Sequence, residues 1–278
     1  MEQPLPPGLY VVATPIGNLG DLTVRAAETL CRADRILAED KRVSAKLLAH
    51  VGATAPMSVY HDHSSEAERD AILARLGSEA IALISDAGTP LISDPGYKLV
   101  RAARAAGHAV HSVPGPSAAI AALAIAGLPT DRFLFLGFLP AKAKARADAI
   151  ADIAAVRATL VIYESGPRLG DALAALAAQL GPREAVVARE LTKLHEECVS
   201  GLLIELAARY ADAPPKGEIV IVVGPPAQGE AASDADLDTA LDAALIDLSP
   251  SRAAAQVAEL LNIPRKRAYA RALERPRR

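Results

Sequence analysis

A loop that follows a short apolar segment places the strongest constraint on the fold of this chain. Residues 80–84 are continuously apolar, which is typical of a buried strand, and the loop SDAGTPLISDPG (residues 85–96) follows them directly. Residues 97–107 then predict a helix that ends at a glycine. Ligands of open α/β sheets bind at the carboxyl ends of strands, where this loop lies. The loop predicts a ligand site in an α/β fold. A tight structural turn with two helix-capping aspartates, Asp86 and Asp94, is the alternative.

Two further loops of glycine and proline follow predicted strands in the first half of the chain. The strand at 9–13 leads into TPIGNLGD (residues 14–21), and the strand at 110–113 leads into PGPSAA (residues 114–119). Asp21 is expected to cap the helix that comes next. Three such loops predict a shared pocket rim that is built largely from backbone. The lysine of a phosphate-binding P-loop is missing, so a nucleoside triphosphate is not expected.

Charged side chains gather where predicted strands give way to loops, and carboxylates there suit general-base chemistry or ribose binding. Helix capping or ion pairing is the alternative for each of them. The strand at 35–38 ends in an acidic pair, and the strands at 159–163 and 185–189 end in mixed acidic and basic residues. These residues are Glu39, Asp40, Glu164, Arg168, Glu190 and Lys193.

Changes in composition divide the chain into four predicted segments. Alternating strands and helices occupy residues 1–128. A boundary falls near LPTD (residues 128–131), and a second alternating segment occupies residues 129–226. Residues 227–247 contain an acidic linker of proline, glycine, alanine and serine and the start of a helix. Residues 248–278 predict two helices that are split at 262–264, the first of them capped by Ser251.

The carboxyl end of the chain is basic although the whole chain carries a formal charge of −3. Residues 251–278 have a balance of +6, so the other 250 residues sum to −9. A basic end on an acidic body predicts a polyanionic partner, with nucleic acid as the first choice. A solvated helical tail is the alternative.

Several sequence features favour a soluble cytoplasmic protein without a metal. The two cysteines, Cys31 and Cys198, fit no metal spacing and suit a reducing compartment. The amino terminus does not have the pattern of a signal peptide, and the longest apolar run, 118–128, is too short to span a bilayer. His61 and His63 have no third ligand at a recognised spacing, so metal binding is not expected.

Seven motifs occur in one order across residues 9–224, namely TPIGNLGDLT, ILAED, SDAGTPLISDPG, PGPSA, YES, RELTK and KGEIVIVVG. Together they resemble the tetrapyrrole-methylase superfamily and, within it, the bacterial 16S ribosomal RNA cytidine 2′-O-methyltransferases. The basic helix pair is similar to the small helix-turn-helix-like carboxyl-terminal domain of those enzymes.

The resemblance implies two α/β domains with S-adenosyl-L-methionine in the cleft between them, and a homodimer that acts on 16S ribosomal RNA in the small subunit. The residues implied to bind the donor are Pro15, Asp86, Ala87, Gly88, Thr89, Ile92, Ser117, Ala118, Tyr163, Leu191, Gly217, Glu218 and Ile219. Candidate catalytic residues are Glu39, Asp40, Glu164 and Arg168, and candidate RNA contacts are Lys193, Arg265, Lys266, Arg267 and Arg271. Aromatic residues make up only 3% of the chain, which argues against a broad base-stacking platform.

The chain departs from the expected family pattern in three places. Lys41 stands where a threonine is expected, and Ser64 and Ser65 stand where asparagine and glutamate are expected. Gly166-Pro167 replaces Pro-His after the YES motif, so a histidine that could contact substrate or accept a proton is missing. Two other functions stay open: methyl transfer to a corrin-type ring or a protein side chain, and a non-catalytic factor that binds the ribosome.

Overall fold

The computed structural model describes residues 4–61, 64–226, 234–246, 248–261 and 263–275. His63, most of the predicted linker (227–233) and Asn262 at the predicted helix break lie outside the described residues. The chain forms two compact units, Met1–Pro225 and Pro226–Arg278.

The first sheet of the larger unit has five parallel strands in the order β3-β2-β4-β1-β5. Its strands are β1 (Gly8–Val12), β2 (Arg35–Ala38), β3 (Met57–Val59), β4 (Ala80–Leu83) and β5 (Val110–Val113). Its helices are α1 (Val24–Arg32), α2 (Lys41–Val51), α3 (Glu66–Arg75), α4 (Tyr97–Ala105) and α5 (Ala118–Ile125). Because all the strands run the same way, the loops that follow them lie at one edge of the sheet.

Helices cover both faces of the first sheet, which explains why its three central strands, β2, β4 and β1, are largely apolar. In β2, Ile36 packs with α1 and α2 on one face, whereas Leu37 packs with α3 and α4 on the other. All four residues of β4 are buried.

The second sheet is mixed, with the strand order β6-β7-β10-β8-β9. The pair β6–β7 is parallel, and the other three pairs are antiparallel. The strands are β6 (Phe133–Phe138), β7 (Thr159–Ser165), β8 (Glu184–Arg189), β9 (Glu197–Leu202) and β10 (Glu218–Val223). Helices α6 (Ala143–Ile153), α7 (Leu169–Leu180) and α8 (Leu203–Tyr210) cover one face of this sheet.

Helix α5 packs on the other face of the second sheet. Its residues Ala119, Ala122 and Leu123 share a core cluster with Val161 of β7 and Val220 of β10. This packing brings the loop edge of the first sheet against the second sheet. The predicted mixed α/β class with two sheets is thereby confirmed.

The smaller unit consists of α9 (Asp234–Ala244), α10 (Pro250–Leu260) and α11 (Arg265–Leu273). They enclose an apolar core that includes Leu237, Leu241 and Val257. This arrangement confirms the predicted helical carboxyl-terminal unit.

Two predicted helix caps are wrong. Thr23 rather than Asp21 caps α1, because Asp21 is part of a short 3-10 turn and the Thr23 hydroxyl accepts the Ala26 N–H at 3.1 Å. The N-cap of α10 is Ser249 rather than Ser251. Ser251 lies inside the first turn, where its hydroxyl accepts from Arg265 at 3.2 Å.

Helix α9 begins inside the acidic segment, and three of its aspartates pair with two arginines of α11 and with Arg275, which follows that helix. Asp234 accepts from Arg267 at 2.8 Å, and Asp238 accepts from Arg271 at 2.7 Å. Asp242 pairs in the same way with Arg275. The partners recur every four residues on both segments, so the pairs form a ladder along neighbouring helix faces. We call these three pairs the Asp–Arg ladder.

Removing the middle carboxylate of the ladder is expected to loosen α11. Hydrogen bonds from Arg271, together with the charge of Arg275, lower the pKa of Asp238. A lowered pKa means that the stabilisation is complete above the ordinary carboxyl value of about 4 and is lost as the pH falls below it. We therefore expect Asp238→Asn at pH 7 to accelerate amide hydrogen exchange in α11 of the full chain. Glu259→Gln on α10 is the matched control, and equal exchange in both variants would contradict the prediction.

Candidate functional site

A cavity of about 330 Å³ lies between the loop edge of the first sheet and the face of the second sheet. Eleven of the thirteen residues that were predicted to bind the donor line it, and they come from five separate segments. They are Ala87, Gly88, Thr89, Ile92, Ser117, Ala118, Tyr163, Leu191, Gly217, Glu218 and Ile219. The other two, Pro15 and Asp86, line a neighbouring cleft of about 230 Å³.

The three glycine and proline loops meet at this cavity, as the sequence predicts. Thr14 and Gly88 exchange both backbone hydrogen bonds, at 2.8 and 3.1 Å, and this ties the first loop to the second. The Thr89 hydroxyl donates to the carbonyl of Pro116 at 3.0 Å and so ties the second loop to the third. Gly88 has φ +79°, where a side chain would be strained, and a Cβ there would lie 3.2 Å from Ile16.

Tyr163 joins the second sheet to the start of α5. Its hydroxyl accepts the backbone N–H of Ala119 at 3.1 Å. The ring lies edge-on to Phe135 and Phe138, with centroids 4.9 and 5.7 Å away. Burial raises the pKa of the Tyr163 hydroxyl, so this residue is a neutral hydrogen-bonding group at neutral pH.

The RELTK segment forms a charged cluster at the cavity margin. The Lys193 ammonium donates to Glu190 and to Glu218, each at 2.9 Å. Burial opposes the charge, but these two carboxylates raise the pKa of Lys193. The backbone N–H of Glu218 and the Lys193 ammonium lower the pKa of Glu190. The aliphatic part of Lys193 lies against Gly17, where a Cβ would come within 2.5 Å of it.

The four predicted catalytic residues do not come together at one point. Asp40 caps α2 through the Arg42 N–H at 2.8 Å and also pairs with the Arg42 side chain. The Arg42 side chain and N–H lower the pKa of Asp40, as the capping and ion-pair alternative predicts. Glu39 is half-buried, and among the described residues it does not line either space.

Glu164 and Arg168 form an ion pair at the cavity wall. Glu164 is 2% exposed and lines the cavity, and its Oε1 accepts the Ser165 N–H at 2.8 Å. The Arg168 guanidinium lies 3.3 Å from the same oxygen and donates to the carbonyl of Leu139 at 2.5 Å. Oε2 of Glu164 is buried and has no hydrogen-bond partner among the described residues.

Asp94 lines the cavity, and helix capping was the alternative to a ligand contact for this residue. Helix α4 instead begins after Gly96 and has no side-chain cap, so the capping interpretation of Asp94 is wrong. Asp86 accepts the Asp40 N–H at 3.1 Å and does not cap α4 either. Asp94 lines the cavity, and burial raises its pKa to about 6. The one sequence feature that indicates a role for Asp94 in the site is its position in this loop, directly before Pro95-Gly96.

Within the part of the chain that the structure describes, no group of three or more histidine, cysteine, aspartate or glutamate residues could hold a metal ion. In that part of the chain no helix is long and apolar enough to cross a membrane.

Comparison with known proteins agrees with this geometry. Residues 8–207 match the family model of tetrapyrrole (corrin/porphyrin) methylases. The chain belongs to this methyltransferase family. Residues 231–276 also match the model described as the RsmI C-terminal HTH domain. The resemblance that the motifs indicate is confirmed.

Curated relatives of this family extend over almost the whole chain. The "Ribosomal RNA small subunit methyltransferase I" of Erythrobacter litoralis is 54% identical, with 98% of this chain and 96% of the relative covered. The protein of the same name from Escherichia coli O157:H7 is 46% identical, with 96% and 94% covered.

Solved tetrapyrrole methylases and a related enzyme share the fold. Uroporphyrin-III-C-methyltransferase from Thermus thermophilus is 22% identical with a TM-score of 0.56, and 78% of this chain and 93% of that chain are covered. Diphthine synthase is 16% identical with a TM-score of 0.61, and the coverage is 78% and 89%.

Two of the departures from the family pattern, at Ser65 and Gly166, have structural roles in this tetrapyrrole methylase. Ser65 caps α3, because its hydroxyl accepts the Glu68 N–H at 3.2 Å and Glu68 accepts the Ser65 N–H at 2.7 Å. Gly166 is buried against the segment before Gly217, where a Cβ would lie 1.7 Å from the carbonyl oxygen of Pro215. Any larger residue at 166 requires that segment to run elsewhere.

Proposed function

We propose that this chain transfers a methyl group from S-adenosyl-L-methionine to the ribose 2′-hydroxyl of a cytidine in 16S ribosomal RNA. The observation that carries the proposal is the convergence of eleven expected donor contacts on one cavity. Its volume of about 330 Å³ lies in the range of small-molecule sites, roughly 300–1,000 Å³. The relatives named above supply the substrate class.

The cavity lining fits S-adenosyl-L-methionine. Leu191 and Ile219 offer apolar surface, and backbone groups of residues 87–89 offer polar contacts. The unpartnered Oε2 of Glu164 needs a donor, and the ammonium and hydroxyl groups of S-adenosyl-L-methionine are suitable donors. When bound, this donor supplies a methyl group on a positively charged sulfur. The task of the protein is then to hold the acceptor oxygen in line with that methyl group.

The neighbouring cleft is suited to RNA phosphates that flank the target ribose. Lys46 and Lys193 line it, and of these two Lys193 is already paired with Glu190 and Glu218. The cleft shares Ile16, Ala87 and Glu218 with the cavity. Lys46 is exposed and makes no ion pair with another described residue. With few aromatic side chains available, phosphate contacts and RNA shape are the means of presenting the cytidine.

In the smaller unit, the RNA-contact proposal depends on Arg265 and Lys266. Arg267 and Arg271 are already paired in the Asp–Arg ladder.

We also infer a cytoplasmic homodimer acting on the small ribosomal subunit. The free, exposed cysteines Cys31 and Cys198 support the reducing compartment, and the family resemblance supports the dimer.

The test is transfer of labelled methyl to purified 30S subunits, with naked 16S RNA compared in parallel. We expect label on one cytidine, and that nucleotide should resist alkaline cleavage because its 2′-oxygen is blocked. Label on a base or on a ribosomal protein would contradict the site of transfer. Donor binding without transfer would favour a non-catalytic factor that binds the ribosome. Transfer to a corrin-type ring would favour a methyltransferase with a different substrate.

A further inference from the structure

The end of strand β6 contains a β-bulge that turns a phenylalanine towards the cavity. Leu136 packs on the sheet face that α6, α7 and α8 cover, and strict alternation would place Phe138 on that face as well. The register with β7 shifts between Phe135 and Gly137, and Gly137 has the left-handed φ of 63°. After the shift, Phe138 lies beside Tyr163 on the cavity face. Bulges next to active sites commonly redirect a side chain in this way.

Phe138 lies at the opening of the cavity. It lines the cavity and is 56% exposed, whereas Leu191 and Ile219, two of the expected donor contacts, are 7% and 3% exposed. A small ligand buries most of its surface in its site, so the place for the donor is among the buried residues. A macromolecular acceptor must enter from the exposed side. The position of Phe138 therefore suits contact with the acceptor.

Two arginines hold the loop that follows Phe138. Arg168 donates to the carbonyl of Leu139 at 2.5 Å, and Arg146 donates to the carbonyl of Ala141 at 3.4 Å. The next residue along the chain is a lysine at position 142, which is exposed and makes no ion pair with another described residue. A loop that is fixed before binding loses less conformational freedom when a ligand binds. The loop thus presents a cation close to the exposed ring.

We propose that Phe138 and Lys142 form a contact surface for the acceptor nucleotide of the RNA. The base of that nucleotide stacks on the Phe138 ring, and an adjacent phosphate pairs with Lys142. The inference rests on the proposed RNA substrate. Unpaired RNA bases stack on aromatic side chains, and lysine is a common partner of backbone phosphates. One base needs only one ring, so the low aromatic content of the chain is compatible with this contact.

The first experiment measures the affinity for 30S subunits and, by calorimetry, the affinity for the donor in variants of Phe138. We expect Phe138→Ala to weaken subunit binding about tenfold to 100-fold, which is the scale of one lost stacking contact. Donor affinity should stay at the wild-type level. Phe138→Trp should retain subunit binding, whereas Phe138→Leu should not, because leucine is apolar but has no ring. The control is Phe133→Ala, an exposed phenylalanine before the bulge that does not line the cavity.

The second experiment tests the phosphate contact through the salt dependence of subunit binding. We expect Lys142→Ala to lower the slope of log affinity against log salt by about 0.7, because one phosphate contact is lost. Lys144→Ala is the matched control, since Lys144 already pairs with Asp148 at 2.7 Å. Equal slopes in the wild-type protein and in Lys142→Ala would overturn the assignment of Lys142.

Three results would overturn the assignment of Phe138. They are wild-type subunit affinity in Phe138→Ala, full recovery in Phe138→Leu, and a loss of donor affinity as large as the loss of subunit affinity. The last result would make Phe138 a donor-binding residue. If the wild-type protein binds the subunit through Phe138 but transfers no methyl, the proposed function fails and the contact surface stands. Binding and transfer measured on one preparation therefore distinguish the two failures.

Discussion

Gly166→Ala should destabilise the larger unit and weaken donor binding together. A Cβ at this position would lie 1.7 Å from the carbonyl oxygen of Pro215 and 2.8 Å from its carbon, so the backbone of one segment must move. Pro215 lies two residues before Gly217, which lines the cavity. Overpacking against backbone costs about 3 kcal/mol. We expect a clearly lower thermal midpoint and at least a tenfold weaker donor complex.

The matched control for that variant is Gly77→Ala. Gly77 lies in a turn after α3, and the nearest atom to a Cβ there is 4.0 Å away. This control should leave both the midpoint and the donor affinity nearly unchanged. An unaltered donor affinity in Gly166→Ala would show that the Pro215 segment can move without disturbing the Gly217 turn.

Ala118→Phe is expected to block the donor site without unfolding the chain. Ala118 begins α5 and lines the cavity, so a phenyl group there occupies a sizeable part of about 330 Å³. We expect donor affinity to fall at least 100-fold, which corresponds to about 2.7 kcal/mol. Calorimetric titration of the donor and a thermal melt of the free protein measure the two effects separately.

Ala124→Phe is the control on the same helix. Ala124 is exposed and does not line the cavity, so donor affinity should stay at the wild-type level. A donor complex of normal strength in Ala118→Phe would mean that the donor binds elsewhere, and the assignment of the cavity would then be wrong.

Local sequence patterns were sufficient for most strands of the first sheet. Strands β2 and β5 were predicted with the bounds that the structure has. Apolar burial explains β2, whereas the middle of β5 is the polar pair His111-Ser112. Helix α2 was missed, although Asp40 before a Lys-Arg pair is a usable start signal. The acidic pair was interpreted as chemistry, and the capping role of Asp40 was left as the alternative.

Contacts between distant segments could not be predicted from the sequence. The Asp–Arg ladder joins residues that are 33 apart, and only the packing of α9 on α11 brings them together. The roles of the cavity carboxylates depend in the same way on partners from other segments. Arg168 pairs with Glu164 and Lys193 pairs with Glu218, whereas Asp94 makes no ion pair with another described residue, and no local pattern distinguishes the three.

The ladder changes what the basic carboxyl end can offer to a polyanion. Among the described residues of this end, the cations outside the ladder are Arg252, Arg265 and Lys266. Each phosphate that is neutralised releases counterions and adds about 0.7 to 0.9 to the slope of log affinity against log salt. Three cations account for a slope of roughly two to three. The smaller unit is therefore suited to weak, salt-sensitive RNA binding. Tight binding must come from RNA contacts outside this unit.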